Sequence, residues 1–127
     1  VSAEAARLLA HARRQLADAD KMLSVDLAHS AARESYMALF NAARALLLSQ
    51  TGERYKKHGM VHAACRKLAA SDPELGNEVG RQLASLYPLK LASDYASETA
   101  PTLAEAREIL DGVERTIARI ATLLARP

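Results

Sequence analysis

Ala28, Ala31, Ser35, Ala38, Ala42, Ala45 and Ser49 recur at alternating steps of three and four residues without a break. A strand would put such positions on both of its faces, whereas an α-helix gathers them into one row. A row of small side chains lets a second helix approach closely. The same segment carries a bulky set, Leu39, Phe40, Leu46 and Leu47, away from that row. A helix apolar on most sides belongs in the middle of a bundle, so the spacing predicts a central helix running roughly from Val25 to Ser49.

The flanking segments supply helices to surround it. Ser2 is placed to cap a first helix with apolar positions Ala5, Leu8, Leu9, Ala12, Leu16, Ala19 and Leu23. Thr51-Gly52 ends the central helix, and a polar loop leads to a short third helix from about His58 to Ala70. Ser71-Asp72-Pro73-Glu74 reads as a new start, because Asp or Ser caps, Pro is preorganised for the first helical position and Glu suits the positive helix end. That fourth helix is predicted to reach about Ser97, with Pro88 removing a donor and bending it. Thr102 and Glu105 form a capping-box pattern ahead of a stripe of Leu103, Ala106, Leu110, Val113, Ile117, Ile120 and Leu124. The expectation is one all-α domain over residues 1–127, an up-and-down bundle of four to five helices.

Composition agrees and narrows the function. Hydrophobic residues make up 50% of the chain but aromatic ones only 4%, an Ala- and Leu-rich balance that favours helices over strands. The net charge of +2 is nearly balanced, so any contact with a polyanion has to come from local clustering. Such a cluster exists: from Arg54 to Ala70 there are five Lys or Arg residues, two His and no Asp or Glu. Single-stranded RNA or another polyanion fits it, and so does a plain solvated loop. Cys65 stands alone, which excludes an internal disulfide and a Cys-based zinc site and reads as a small buried hydrophobe. Charges in the first turns interrupt any membrane-length apolar run, so the expected location is cytoplasmic, with no membrane contact.

Three segments, in order and spacing, resemble the HEPN domain family. Ala32-Arg33-Glu34-Ser35-Tyr36-Met37-Ala38-Leu39-Phe40-Asn41-Ala42-Ala43-Arg44-Ala45-Leu46-Leu47 is similar to its Arg-x-x-Tyr-Tyr-Ala-x-Phe-x-Ala-Ala-Arg-Ala-Leu-Leu helix. Lys56-Lys57-His58-Gly59-Met60-Val61 resembles its Lys-x-His-x-x-Val junction, and Lys90-Leu91-Ala92-Ser93-Asp94-Tyr95 its Arg-x-x-Ala-Asp-Tyr segment. Together they span about residues 25 to 124. The resemblance implies a bundle that is usually a homodimer, often paired with a minimal nucleotidyltransferase in toxin–antitoxin modules. It also implies, for many relatives, metal-independent RNase activity built on an Arg followed four to six residues later by a His. In this chain Lys90 stands at the Arg position and Tyr95 at the His position.

That substitution has chemical consequences. Cleavage of RNA by its own 2′-hydroxyl needs a base near neutrality and a cation for the phosphorane charge. A phenol with an unperturbed pKa of about 10 is a poor base at pH 7. An ammonium keeps the charge of Arg but loses its planar pair of donors. A non-catalytic role is therefore favoured over the divergent RNase. Lys90, Asp94 and Tyr95 are candidates for the remnant of the family's cleft, Tyr95 offering a hydroxyl that a nucleotidyltransferase can modify. The bland alternative is a surface Lys90–Asp94 ion pair one helical turn apart.

Arg33 and Arg44 cannot be buried unpaired in a central helix and are expected to reach a carboxylate such as Asp94, the surface or a phosphate. With Arg54, Lys56, Lys57 and Lys90 they are the candidate nucleotide- or RNA-binding residues. Tyr36, Met37 and Phe40 read mostly as core. His58 and His62, four apart, lack a third ligand for a metal, so no metal or cofactor is expected, and His58 reads as closing the helix junction. His11 and His29 read as facing solvent. The leading expectation is an accessory or interaction component. The rivals are an RNase with His58 as base and Lys90 as cation, and a purely structural adaptor.

Overall fold

The computed structural model describes residues 1–68, 73–91 and 100–126. Five helices make up the bundle among these residues: α1 Ala3–Ser24, α2 Ala28–Thr51, α3 His58–Leu68, α4 Pro73–Leu91 and α5 Leu103–Leu124. α2 contacts each of the other four, as its double apolar character requires. The middle of the small row is sealed: Ala31, Ser35, Ala38, Ala42 and Ala45 are all fully buried, and so are Leu39, Leu46 and Leu47 of the bulky set, whereas at the ends of the row Ala28 is half-buried and Ser49 exposed.

α1 lies against α2 through a small row of its own, the fully buried Ala5, Ala12 and Ala19, spaced by seven. Two contacts fix the antiparallel sense of the pair. Glu4 near the start of α1 meets Arg54 beyond the end of α2, and Gln15 midway along α1 accepts a 2.8 Å hydrogen bond from the Asn41 amide. α4 and α5 are antiparallel for the same kind of reason, with Arg119 paired to Glu74 and Glu78 and the Gln82 amide donating to the Gly112 carbonyl.

The caps explain where helices begin and end. Ser2 Oγ accepts from the Ala5 N–H at 3.1 Å, and Thr102 with Glu105 forms a reciprocal capping box. Gly52 closes α2 in the left-handed region at φ 77°, its N–H donating to the Leu48 carbonyl at 2.9 Å. The start of α2 differs from the expectation: it begins at Ala28, three residues after Val25. The N–H groups of Val25 and Leu27 both turn back to the Met22 carbonyl of α1, and Asp26 takes φ 63°, so 25–27 form the reversal between the helices. Asp tolerates this left-handed conformation better than most non-glycine residues.

Other expectations shift in detail. Leu103 is exposed, whereas the rest of its stripe, from Ala106 to Leu124, is buried. Half-buried His29 departs from its solvent-facing reading, while His11 is exposed. The predicted end of α3 at Ala70 and the predicted extension of α4 to Ser97 lie outside the described residues. Among the described residues no helix is long and apolar enough to cross a membrane.

Candidate functional site

A hydrogen-bonded aromatic cluster lies where α2, α3 and the end of α4 meet. Tyr36, on α2, is fully buried, and its hydroxyl lies 2.7 Å from His58 Nδ1 and 3.0 Å from His62 Nε2. The i, i+4 spacing of the two histidines puts both on the face of α3 that looks at α2. His58 stacks on Phe40 with ring centroids 4.0 Å apart, and Tyr87 of α4 closes the group edge-on to His62 at 5.1 Å. Two imidazoles, two phenols and a phenyl ring thus form one cluster drawn from three helices.

Burial opposes charge on Tyr36, His58 and His62. Burial pushes the Tyr36 phenol far above its ordinary pKa, with Tyr87 adding to the shift, so the hydroxyl proton stays in place. Burial lowers the pKa of His58, and the Lys90 ammonium and His62 lower it further. Burial also lowers His62, with help from Arg66. Each imidazole therefore resists protonation in the fold more than in the unfolded chain. A base whose folded pKa is depressed leaves stability intact above about pH 6.5, its unfolded value, and loses it as pH falls toward the folded value. The melting temperature is expected to drop between pH 7 and pH 5, and a His58→Gln/His62→Gln variant should show a flatter profile in the same thermal melts.

The candidate residues divide into three groups. Lys90 is half-buried in the last turn of α4, near enough to His58 for its charge to act on the ring. Lys56 and Lys57 are exposed immediately before α3, whose first backward hydrogen bond runs from the Val61 N–H to the Lys57 carbonyl. The N–H groups of His58, Gly59 and Met60 thus belong to the unpaired first turn, beside these ammonium groups. Arg33 is exposed one turn ahead of Tyr36 on α2. Of these four cations Lys90 acts on the cluster, Lys56 and Lys57 precede His58 directly in the chain, and Arg33 lies three residues before Tyr36.

Arg44 and Arg54 do something else. Arg44 Nε donates to the Tyr55 carbonyl at 2.7 Å and Nη1 to Asn41 Oδ1 at 3.1 Å, while its guanidinium lies 5.9 Å from the Phe40 ring centre. It ties the loop after α2 to the helix, a backbone partner that the list of carboxylate, surface and phosphate did not contain. Arg54 Nε is held at 2.8 Å from both oxygens of Glu4, which pins the same loop to α1. Asp94 and Tyr95 lie outside the described residues.

The family model for the HEPN domain matches residues 5–123, nearly the whole chain. The chain belongs to the HEPN domain family. No curated protein matches it. Within this HEPN bundle the first two motifs that carry the resemblance fall on α2 and on the entry to α3, and the third begins at Lys90 in the last turn of α4, its residues 92–95 lying outside the described ones.

Sequence reasoning named His58 and Lys90 but not the group they sit in. It set Tyr36 and Phe40 aside as core and paired His58 with His62 only as metal ligands. The i, i+4 histidines were a usable signal; that their shared partner is a phenol 22 residues away from His58 was not. Among the described residues no three His, Cys, Asp or Glu side chains converge as a metal site would need. Cys65 is buried, its thiol pushed up to about 12 by burial, and takes the place of a small core hydrophobe.

Proposed function

We propose that this HEPN protein is a non-catalytic, RNA-contacting component of a nucleotidyltransferase-associated module of toxin–antitoxin type, acting as a homodimer. The observation that carries the reading is the placement of Lys90 beside a neutral, hydrogen-bonded His58, next to Lys56 and Lys57. Ammonium groups beside unpaired helix N–H groups suit phosphate oxygens. Arg33 extends the positive approach, whereas Arg44 and Arg54 serve by holding the loop that presents Lys56 and Lys57. The dimer and the nucleotidyltransferase partner rest on family membership, since relatives are often so arranged. A small nucleotidyltransferase reading frame beside the gene would support the pairing, and its absence would count against it.

The test is binding of single-stranded RNA across a salt series. The Lys56→Ala/Lys57→Ala/Lys90→Ala variant is expected to bind at least about tenfold more weakly, with a log–log salt slope shallower by about 2, roughly 0.7 for each lost contact. Unchanged affinity, or binding indifferent to salt in the parent protein, would remove the RNA contact from this site. The rival RNase draws on the same neighbours, His58 as base and Lys90 as cation. A cleavage assay separates the two: RNA cut by the parent protein but by neither His58→Ala nor Lys90→Ala would replace the present reading with the rival.

A further inference from the structure

The Tyr36 hydroxyl has one proton and sits between two imidazole nitrogens, so it can donate to only one of them and must accept from the other if both contacts are hydrogen bonds. The ring-nitrogen roles depend on the tautomer, and we assign the shorter contact as the one the hydroxyl donates. Hydroxyl donors generally make the shorter bonds, about 2.7–2.8 Å to oxygen, and N–H donors to oxygen settle at about 2.9–3.0 Å. The contact with His58 Nδ1 is 2.7 Å and that with His62 Nε2 is 3.0 Å. Read this way, Tyr36 donates to His58 Nδ1 and accepts from the His62 Nε2–H. A neutral imidazole carries its single proton on the nitrogen that does not accept, so His58 is left with the proton on Nε2.

The consequence concerns the far edge of the His58 ring. Its Nδ1 is taken by Tyr36 and one of its faces by Phe40, yet the residue is only half-buried. Nε2 is the remaining polar atom, and the Lys90 charge acts on the same ring. A nitrogen bearing a proton is a donor; only the opposite tautomer would offer a lone pair to remove a proton from a 2′-hydroxyl.

We propose that Tyr36, held by His62, is a positioning residue that locks His58 as the Nε2–H tautomer, so that His58 and Lys90 together donate to the oxygens of a phosphodiester. This rests on the reading of the site as an RNA contact, and it adds which atoms hold the phosphate and why the site does not cleave it. His62 matters although it lies beneath the surface, because its Nε2–H uses the phenol oxygen as acceptor and thereby turns the phenol proton toward His58. A side chain at position 62 that can only accept would take the phenol proton and reverse the His58 tautomer.

Nitrogen NMR of the full chain labelled in its histidines, at pH 7 and without ligand, tests the tautomer directly. The expected spectrum has a proton on His58 Nε2 and on His62 Nε2 and none on His58 Nδ1. A proton on His58 Nδ1 with a bare Nε2 overturns the inference. A short single-stranded oligoribonucleotide is then added, and the His58 Nε2–H resonance is expected to shift while keeping its proton. RNA that binds without moving this resonance overturns the phosphate contact. No RNA binding at all, with the expected tautomer, overturns the contact together with the reading beneath it, whereas a reversed tautomer with intact RNA binding overturns the inference alone.

Two variants separate donation from packing. His58→Leu is expected to weaken RNA binding about tenfold, the scale of one hydrogen bond to a charged group. His58→Gln has an amide N–H that can stand in for Nε2–H and should stay within about threefold of the parent. Equal losses in both would mean that His58 only fills space. Should either variant fail to fold, the spectrum of the parent protein still decides.

Discussion

Tyr36→Ala is expected to lower the unfolding free energy by about 3–5 kcal/mol, read from urea denaturation at pH 7. The ring is fully buried and lies within 6.3 Å, centre to centre, of Phe40, His58, His62 and Tyr87. Its removal leaves a cavity where three helices meet and strips both histidines of a common partner. Against a typical domain stability of roughly 5–15 kcal/mol, the loss threatens folding itself. Tyr36→Phe isolates the hydroxyl. It keeps the ring and should cost about 1–3 kcal/mol, the penalty for leaving buried polar groups unpaired. If the two variants were equally stable, packing would be irrelevant here; if Tyr36→Phe matched the parent, the phenol bridge would carry no energy. The larger of the two losses should also raise the exposure of Cys65, whose thiol is inert while buried, so its labelling rate gives a second readout.

The parts of this molecule that sequence disclosed are those governed by local rules. Steps of three and four put Ala31, Ser35, Ala38, Ala42 and Ala45 in one row, and all are buried. The Thr102–Glu105 box and the Gly52 stop follow from side chains within a few residues of one another. Val25 reads as part of α2 because an apolar residue extends a helical pattern, and the left-handed Asp26 beside it has no hydrophobic signature. The site was harder for a related reason. Tyr36 and His62 are 26 residues apart, and Arg44 reaches a backbone carbonyl, a partner that side-chain chemistry does not advertise. Single residues were visible, but the hydrogen bonds joining them depend on how α2, α3 and α4 pack.

Ala38→Leu should destabilise the protein by about 1–3 kcal/mol, although it adds apolar surface to an apolar place. Ala38 shares a face of α2 with Glu34, Asn41 and Ala45. Two of these positions mark that face as the one turned to α1: Asn41 bonds Gln15, and the Glu34 carboxyl, raised first by burial, is raised further by Asp18 of α1. The row opposite contains Ala5, Ala12 and Ala19, so around Ala38 the seam is lined largely by methyl groups and the helix axes can lie close. An isobutyl group at position 38 finds no gap and must push α1 away or leave its favoured rotamer. Displacing α1 would also stretch the Gln15–Asn41 bond, and Asn41 is the residue that receives Arg44 Nη1. The disturbance is therefore expected to reach the loop that presents Lys56 and Lys57, visible as faster proteolysis between Gly52 and Lys57. Ala17→Leu on the exposed side of α1 is the control, with a change within about 0.5 kcal/mol. Equal stability of Ala38→Leu and Ala17→Leu would mean that the seam is loose, and the central position of α2 would lose its physical basis.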